Sequence, residues 1–285
     1  MSEPESSKTD WRLSSGHGYI LNRTRTRTHI SSCRLNLQHY LWKEALGFNI
    51  HPSILPHLPK DVTIADVATG TAIWLLECRK AVPRWEASGA PNEKWLPANT
   101  EVRKWDIFED VPGEWVGMFD FVHVRLLVLV LEGESQILEF AGKLMRMLKP
   151  GGYLQWDELD CVNIHVKTPS YTLQAPALQQ IRTISWANGR YDWTRRIPSF
   201  LKDTGFEEID LQNFGDEDRL VRAFNEQHLL TMEEFADSLM RIGKREAAEM
   251  WWGLIERGER EAEEGNALCI PRVVCRGKKL GERGI

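Results

Sequence analysis

The sequence lacks the features that mark secreted, membrane-spanning and zinc-binding proteins. No apolar run approaches the length of a membrane span, and the first ten residues are polar and acidic, without the basic and apolar regions of a secretory signal. The five cysteines are scattered, with no Cys-x-x-Cys pair and no histidine at a metal-ligand spacing. We therefore expect a cytoplasmic protein, with the nucleus as an alternative location, that carries reduced thiols and binds no metal.

The chain also lacks the excess of basic residues that draws a protein to nucleic acids or anionic membranes. Its formal net charge is −5, and 27% of its residues are charged. Because it has no general attraction to phosphate groups, we expect a small-molecule partner, with no nucleic acid and no membrane. The 285 residues, 42% of them hydrophobic, predict one large core in a monomer or homodimer.

Short apolar strands alternate with helical patterns in the first half of the chain. Strands connected by helices require right-handed crossovers, which predict a mainly parallel sheet. The expected fold is therefore α/β, with a Rossmann-like, doubly wound sheet. The predicted strands are 61–68, 100–105, 119–124 and 153–156, and the predicted helices are 31–48, 72–82 and 135–148.

The second half is mostly helical and ends in strands, which suggests an antiparallel hairpin added to the parallel array. Its predicted helices are 171–187, 195–204, 217–239 and 244–264, and its predicted strands are 207–214 and 267–276. We expect a disordered tail at 1–18 and a single domain at 19–285. Within that domain, we expect a helical lid at 19–60, a cofactor-binding core at 61–160, and cap helices with the final strands at 161–285.

The segment VTIADVATGTAIW (62–74) predicts a strand, a tight turn of small residues and a helix. Ligands of open α/β sheets bind beside such a turn, where backbone N–H groups and a helix N-terminus converge. A dinucleotide-binding turn needs three glycines, whereas this turn has only Gly70, and no Gly-Lys-Ser or Gly-Lys-Thr of a phosphate loop follows. A nucleoside joined to an amino acid suits this turn better, and an ordinary strand-to-helix turn is the alternative.

A second acidic residue follows another predicted strand. Asp106 and Ile107 come after the segment TEVRKW (100–105), and the end of that strand should share a sheet edge with Asp66. There, a carboxylate accepts hydrogen bonds from an exocyclic amine, and Ile107 or Trp105 covers a purine face. A strand-end aspartate is otherwise a common turn former. The two strand ends together favour a ligand site.

These segments resemble class I S-adenosylmethionine-dependent methyltransferases, specifically a fungal group of secondary metabolism that includes a gliotoxin thiomethyltransferase and a global regulator of toxin clusters. The resemblance implies a seven-stranded sheet, S-adenosylmethionine as cofactor, and a substrate pocket roofed by the N-terminal helix and the late helices. The matching segments are RLNLQHYLWKEALG (34–47), IHPSI (50–54), IADVATGTAIWLL (64–76), KWLPANTEVRKWDIFED (94–110), FDFVHVRLL (119–127) and LKPGGYLQWDELD (148–160).

Two features of the chain depart from that family. The turn ends in Ala72 where the family has glycine, and the segment AVPRWEASGAPNEKWLP (81–97) is short and has no strand pattern. In the family, a strand in that segment ends in an acidic residue that clasps the ribose hydroxyls. Only Glu86 is available here as a substitute, so the second strand of the sheet is expected to be altered or missing.

The predicted site residues follow from the resemblance and from the strand ends. Asp157, Glu158 and His39 are the candidate catalytic residues, as general base or as ligands of a cationic substrate. Arg34 and Asn36 belong to the segment that resembles the lid helix of the family. The predicted cofactor-binding residues are Tyr19, Arg34, Asn36, Asp66, Ala68, Thr69, Gly70, Thr71, Glu86, Asp106, Ile107, His123, Val124 and Arg125.

The function predicted from these observations is methyl transfer from S-adenosylmethionine to oxygen, nitrogen or sulfur of a small natural product. One alternative is a protein of the same fold that has lost methylation and serves as a scaffold or as a cofactor-independent isomerase or cyclase. The short 81–97 segment favours this alternative. Another is a regulator of secondary metabolism that acts through protein partners.

Overall fold

The computed structural model describes residues 29–78, 100–186 and 189–281. The predicted tail at 1–18, the candidates Tyr19 and Glu86, and the segment 81–97 lie outside the described residues. Among the described residues, no helix combines the length and the apolar character needed to cross a bilayer.

The described part of the chain contains a main sheet of five strands. Its strand order is β1-β2-β3-β7-β5, with β1, β2 and β3 parallel and β7 antiparallel to both of its neighbours. The α/β fold and the antiparallel addition at the end of the chain are therefore confirmed. The strands are β1 (Ile64–Val67), β2 (Phe119–Arg125), β3 (Leu148–Leu159), β5 (Phe206–Phe214) and β7 (Arg272–Lys279).

Two more strands form a separate antiparallel sheet, namely β4 (His165–Lys167) and β6 (Ala267–Cys269). The predicted single strand at 267–276 is thus two strands, which belong to different sheets. Pro271 lies between them, and its missing N–H and fixed φ favour a break there.

The predicted strand at 100–105 is wrong, because this segment has no regular secondary structure. Its polar groups find partners close by in the chain. The guanidinium of Arg103 binds Glu101 and Glu114, and Nε1 of Trp105 donates to the carbonyl of Asp110 at 3.0 Å. These local bonds replace the ladder that a neighbouring strand would supply, so the described part of the main sheet ends at β1.

Seven helices are found in the described residues, and they cover both faces of the main sheet. On one face, Trp42 of α1 and Trp74 of α2 lie over side chains of β2. On the other, Phe140 of α3 meets Trp156 of β3 edge to face, with ring centroids 5.4 Å apart. The helices are α1 (His29–Leu46), α2 (Ile73–Cys78), α3 (Gly133–Met147), α4 (Pro176–Ser185), α5 (Ile197–Asp203), α6 (Asp218–Arg241) and α7 (Arg245–Glu263).

Candidate functional site

A row of polar side chains crosses the carboxyl ends of β1, β2 and β3. The parallel register places Asp66 beside His123, and His123 beside Gln155. It also places Arg125 beside Asp157. Because residues two apart on a strand share one face, these five side chains form a single polar surface on the sheet.

His123 bridges two carboxylates on this surface. Its Nδ1 lies 2.7 Å from Oδ1 of Asp66, and its Nε2 lies 3.1 Å from Oδ2 of Asp157. A carboxylate only accepts, so both contacts are hydrogen bonds when the ring carries both protons. Arg125 donates to the same oxygen of Asp157 from Nε at 3.0 Å and from Nη2 at 2.7 Å. His123 and Arg125 thus both bind Asp157, and His123 also binds Asp66.

Aromatic rings from the covering helices seal this surface against water. The indole of Trp74 stacks on His123 with centroids 3.7 Å apart and planes 3° from parallel. The guanidinium carbon of Arg125 lies 5.0 Å from the ring centroid of Trp42, within cation–π distance. Asp66, His123 and Asp157 are all buried. The low local dielectric strengthens their mutual attraction and makes any unpaired charge costly.

The turn that follows β1 has three residues in the left-handed backbone conformation. Their φ angles are 61° at Ala68, 66° at Gly70 and 60° at Ala72. An L-residue with a side chain is strained in this region by about 1–2 kcal/mol, and glycine is not. A glycine at position 72 would adopt this conformation without that strain. Such strain concentrates at ligand sites, where the turn must present backbone N–H groups.

Two buried polar atoms of this region have no partner within the described residues. They are Oδ2 of Asp66 and Oγ1 of Thr69. Buried polar atoms are normally satisfied, so these two point to a ligand. S-adenosylmethionine fits, because its cationic amino group would neutralise Asp66. Asn36 of α1 accepts a hydrogen bond from the hydroxyl of Thr71 at 2.6 Å, which joins the predicted lid helix to the turn.

Asp157 is ionised and accepts hydrogen bonds from the polar side chains around it. Burial would raise the pKa of its carboxyl, but the charge of Arg125 and the hydrogen bonds from His123 and Arg125 outweigh burial and keep this pKa below its usual value. The amide of Gln155 also donates to Asp157 at 3.0 Å. A carboxylate with a lowered pKa and several donors is a poor general base.

Glu158 points away from this surface. Successive side chains of β3 alternate between faces, so Glu158 lies beside Trp156 on the opposite face from Asp157. Its Oε1 accepts from the indole of Trp156 at 3.0 Å and from the backbone N–H of Leu127 at 2.7 Å. Burial raises the pKa of Glu158 to about 8. The structure therefore separates two carboxyls that the sequence places side by side.

The raised pKa of Glu158 predicts that stability falls as pH rises. The unfolded chain releases this proton near 4.5, whereas the folded protein retains it up to about 8. The unfolded state binds fewer protons between these values, so the stabilisation is complete below pH 4.5 and is lost as pH rises through 8. Urea denaturation should show that the free energy of unfolding of the unmodified protein is several kcal/mol lower at pH 8.5 than at pH 5. This decline should be absent from Glu158→Gln. The exposed Glu109→Gln variant is the control, and an equal decline in both variants would contradict the prediction.

His39 lies buried near the polar surface, where its ring is neutral. Burial, followed by the charge of Arg125, lowers its pKa to about 3. Neither ring nitrogen has a partner within the described residues. A group with this pKa is a weak base, but a neutral imidazole offers one acceptor and one donor to a ligand.

Asp106, Ile107 and Val124 were also predicted to bind the cofactor, and their observed contacts are of other kinds. Asp106 accepts from the backbone N–H of Phe108 at 3.1 Å, and the carbonyl of Ile107 accepts from buried Lys143 of α3 at 3.0 Å. These bonds fasten the 106–108 turn to the helix. Val124 lies in the apolar core, on the face of β2 that is opposite His123.

Arg34 forms a buried ion pair with Glu234. Its Nε and Nη2 donate to the two carboxylate oxygens at 3.0 Å each, and both side chains are about nine-tenths buried. The pair joins α1 to α6, so Arg34 holds the predicted lid helix against a late helix. The structure thus places Arg34 in an interhelical contact and Asn36 at the turn.

Three residues outside the predicted catalytic and cofactor-binding sets complete the surface. Gln155 binds Asp157 and the carbonyl of Asn49, and Trp74 and Trp42 cover His123 and Arg125. The two-residue spacing of Gln155 and Asp157 was the available signal for a shared face. The sequence contains no signal for which tryptophans cover them, because their contacts come from distant segments.

No protein-family model matches the chain. It is 32% identical over 157 residues to the methyltransferase grgD of Penicillium sp, a match covering 50% of this chain and 53% of grgD. It is 35% identical over 118 residues to the N-methyltransferase verN of Clonostachys rogersoniana, covering 39% and 40%. The matched region thus spans about half the length of these two relatives.

A longer match joins the chain to the N-methyltransferase tcpN of Claviceps purpurea (strain 20.1). It is 27% identical over 239 residues and covers 79% of this chain and 83% of tcpN. Among solved structures, geranyl diphosphate methyltransferase in complex with SAM aligns with a TM-score of 0.46 and 11% identity, over 92% of this chain and 94% of that one. The similarity to fungal methyltransferases, which the sequence indicates, is confirmed by the curated relatives.

Proposed function

We propose that this protein is an S-adenosylmethionine-dependent methyltransferase that acts on a small natural product, with nitrogen as the methyl acceptor. The observation that carries the proposal is the strained turn after β1. Its left-handed residues Ala68, Gly70 and Ala72 lie next to Asp66, whose buried Oδ2 has no partner in the described part of the chain.

The residues around the turn have separate roles in this proposal. The turn offers backbone N–H groups at close range because Gly70 has no side chain. Asp66 accepts from the cationic amino group of the cofactor through the oxygen that His123 leaves free. Asp157 and Arg125 hold the ring of His123 in place, so the orientation of Asp66 is set before the cofactor binds.

When bound, S-adenosylmethionine supplies an electrophilic methyl group on a sulfonium centre. The protein must align the acceptor with that methyl group and exclude water. We assign His39 to positioning, since its neutral ring can accept a hydrogen bond from an N–H of the acceptor. With a pKa of about 3, it does not itself take up the proton at neutral pH. The names of verN and tcpN, both N-methyltransferases, support nitrogen as the acceptor atom.

Isothermal titration of the full chain with S-adenosylmethionine tests the proposal. We expect measurable binding, which Gly70→Val should weaken by about 30-fold or more, or about 2 kcal/mol. Gly117→Val is the matched control, because Gly117 has φ 67°, nearly that of Gly70, and precedes β2 at the opposite edge of the sheet. Both variants place valine at nearly the same left-handed φ, so they carry the same backbone strain. A larger loss of affinity in Gly70→Val therefore comes from the position of Gly70 in the turn.

Absence of binding to the unmodified protein would overturn the proposal. It would favour a protein of this fold that works without the cofactor, the alternative that the short 81–97 segment also favours. Conversion of a substrate in the absence of S-adenosylmethionine would then identify an isomerase or cyclase.

A further inference from the structure

We propose that His165, Asp216 and Cys269 form a binding site for a zinc ion, separate from the methyl-transfer site and independent of the proposed function. The ligand atoms that these three residues offer all lie within 4.8 Å of one another. A thiolate, an imidazole and a carboxylate are together the ligand types that zinc prefers over magnesium or calcium.

The small sheet places two of the ligands. His165 of β4 and Cys269 of β6 are directly opposite in the antiparallel pair, so their side chains share one face with Cβ atoms about 5 Å apart. Asp216 lies in the segment between β5 and α6 and brings its carboxylate to the same face. The three residues are far apart in the sequence, which is why no linear spacing indicates a site.

The orientation of His165 suits metal binding. Its Nδ1 lies 3.0 Å from the backbone carbonyl of Asn163, an atom that can only accept, so Nδ1 carries the proton. Its Nε2 faces Asp216, whose Oδ2 lies 3.2 Å away. A carboxylate oxygen only accepts, so a proton or a cation lies between these two atoms. A histidine oriented through Nδ1–H by a carbonyl is the usual arrangement of a zinc ligand.

The distances are close to those of a tetrahedral site. Zinc bonds of about 2.0–2.3 Å place neighbouring ligand atoms roughly 3.3–3.7 Å apart. The 3.2 Å separation between His165 and Asp216 already agrees with this value. The thiol of Cys269 needs an approach of at most about 1 Å, which a side-chain rotation supplies.

Burial and charge fit the same assignment. Cys269 is buried, whereas the side chain of His165 is 49% exposed, so the site has a closed inner side and an open outer side for a water ligand. The nearby Lys167 binds Asp218, whereas the carboxylate of Asp216 contacts His165 and the thiol of Cys269. Binding breaks the S–H bond of Cys269 and forms an S–Zn bond, and the proton passes to solvent.

Cobalt(II) titration of the full-length protein tests the site, because cobalt replaces zinc and reports a thiolate ligand by a charge-transfer absorption band. We expect one cobalt ion per chain, displaced by zinc. His165→Gln and Cys269→Ser should each remove the band or weaken cobalt binding by more than about 100-fold, beyond the cost of an outer-shell change. Cys33→Ser and His57→Gln are matched controls, since both residues are exposed and lie outside the cluster.

His165→Gln keeps the test decisive if Cys269→Ser unfolds, because His165 is half exposed and its replacement should leave the fold intact. Absence of a band in the unmodified protein, or a band that persists in His165→Gln, would overturn the proposal. Either result would mean that His165 and Asp216 contact each other without a metal ion between them.

Discussion

Replacing Asp157 with alanine should lower the free energy of unfolding by about 3–5 kcal/mol. The carboxylate accepts from His123, Arg125 and Gln155 and is fully buried. Its removal would leave the guanidinium of Arg125 without its carboxylate and Nε2 of His123 without its partner. In a region of low dielectric, an unpaired charge is costly. Urea denaturation with linear extrapolation measures the change.

Two further variants show whether the loss comes from the network. Asp157→Asn keeps the shape and one acceptor oxygen, so its loss should be smaller than that of Asp157→Ala. Asp110→Ala is the surface control, because Asp110 is 88% exposed in its pair with Arg146, and such pairs contribute about 0–1 kcal/mol. A loss below about 1 kcal/mol in Asp157→Ala would contradict the anchoring role. If Asp157→Asn keeps full stability but loses methyl transfer, Asp157 acts in catalysis.

The second large effect concerns the buried pair between α1 and α6. Glu234→Ala should destabilise the protein by about 3–5 kcal/mol, because it leaves the guanidinium of Arg34 buried and unpaired. The double variant Arg34→Met with Glu234→Leu removes both charges and fills a similar volume. Its free energy of unfolding should therefore be close to that of the unmodified protein. A double-mutant cycle in urea, completed with the two single variants Arg34→Met and Glu234→Leu, measures the coupling.

The exposed pair between Arg222 and Glu226 provides the comparison. It lies within α6 at a spacing of four residues, with side chains 77% and 53% exposed. Breaking it should cost no more than about 0.5 kcal/mol. If Glu234→Ala costs as little as the exposed pair, the buried pair does not fix α1. If the double variant is as unstable as the single one, packing rather than charge carries the loss.

Much of the fold was predictable because each element carries its own periodicity. The β-branched run before Thr69 and the small residues after it predicted β1 and its turn correctly. The segment 100–105 contains Thr100, Val102 and Trp105, residue types that favour strands, yet it is not a strand. Such residues form a strand only where a neighbouring strand completes the ladder, and the sequence does not indicate whether one is present.

The candidate site was predictable in part, for a similar reason. Parallel strands end at the same edge, so Asp66, His123 and Asp157 were expected near one another, and hydrogen bonds join them. Their protonation was not predictable. The same residue type has a lowered or a raised pKa according to its partners and burial, as the neighbours Asp157 and Glu158 show.

The amino-acid sequence by itself determined the α/β class, the turn with Gly70 and the similarity to methyltransferases, because these depend on residues close together in the chain. Only the tertiary structure decided which polar groups meet. It paired Arg34 with Glu234 across 200 positions and brought His165 to Cys269. Contacts between distant segments depend on how whole elements pack, and hydrophobic periodicity specifies the buried face of an element without specifying its partner.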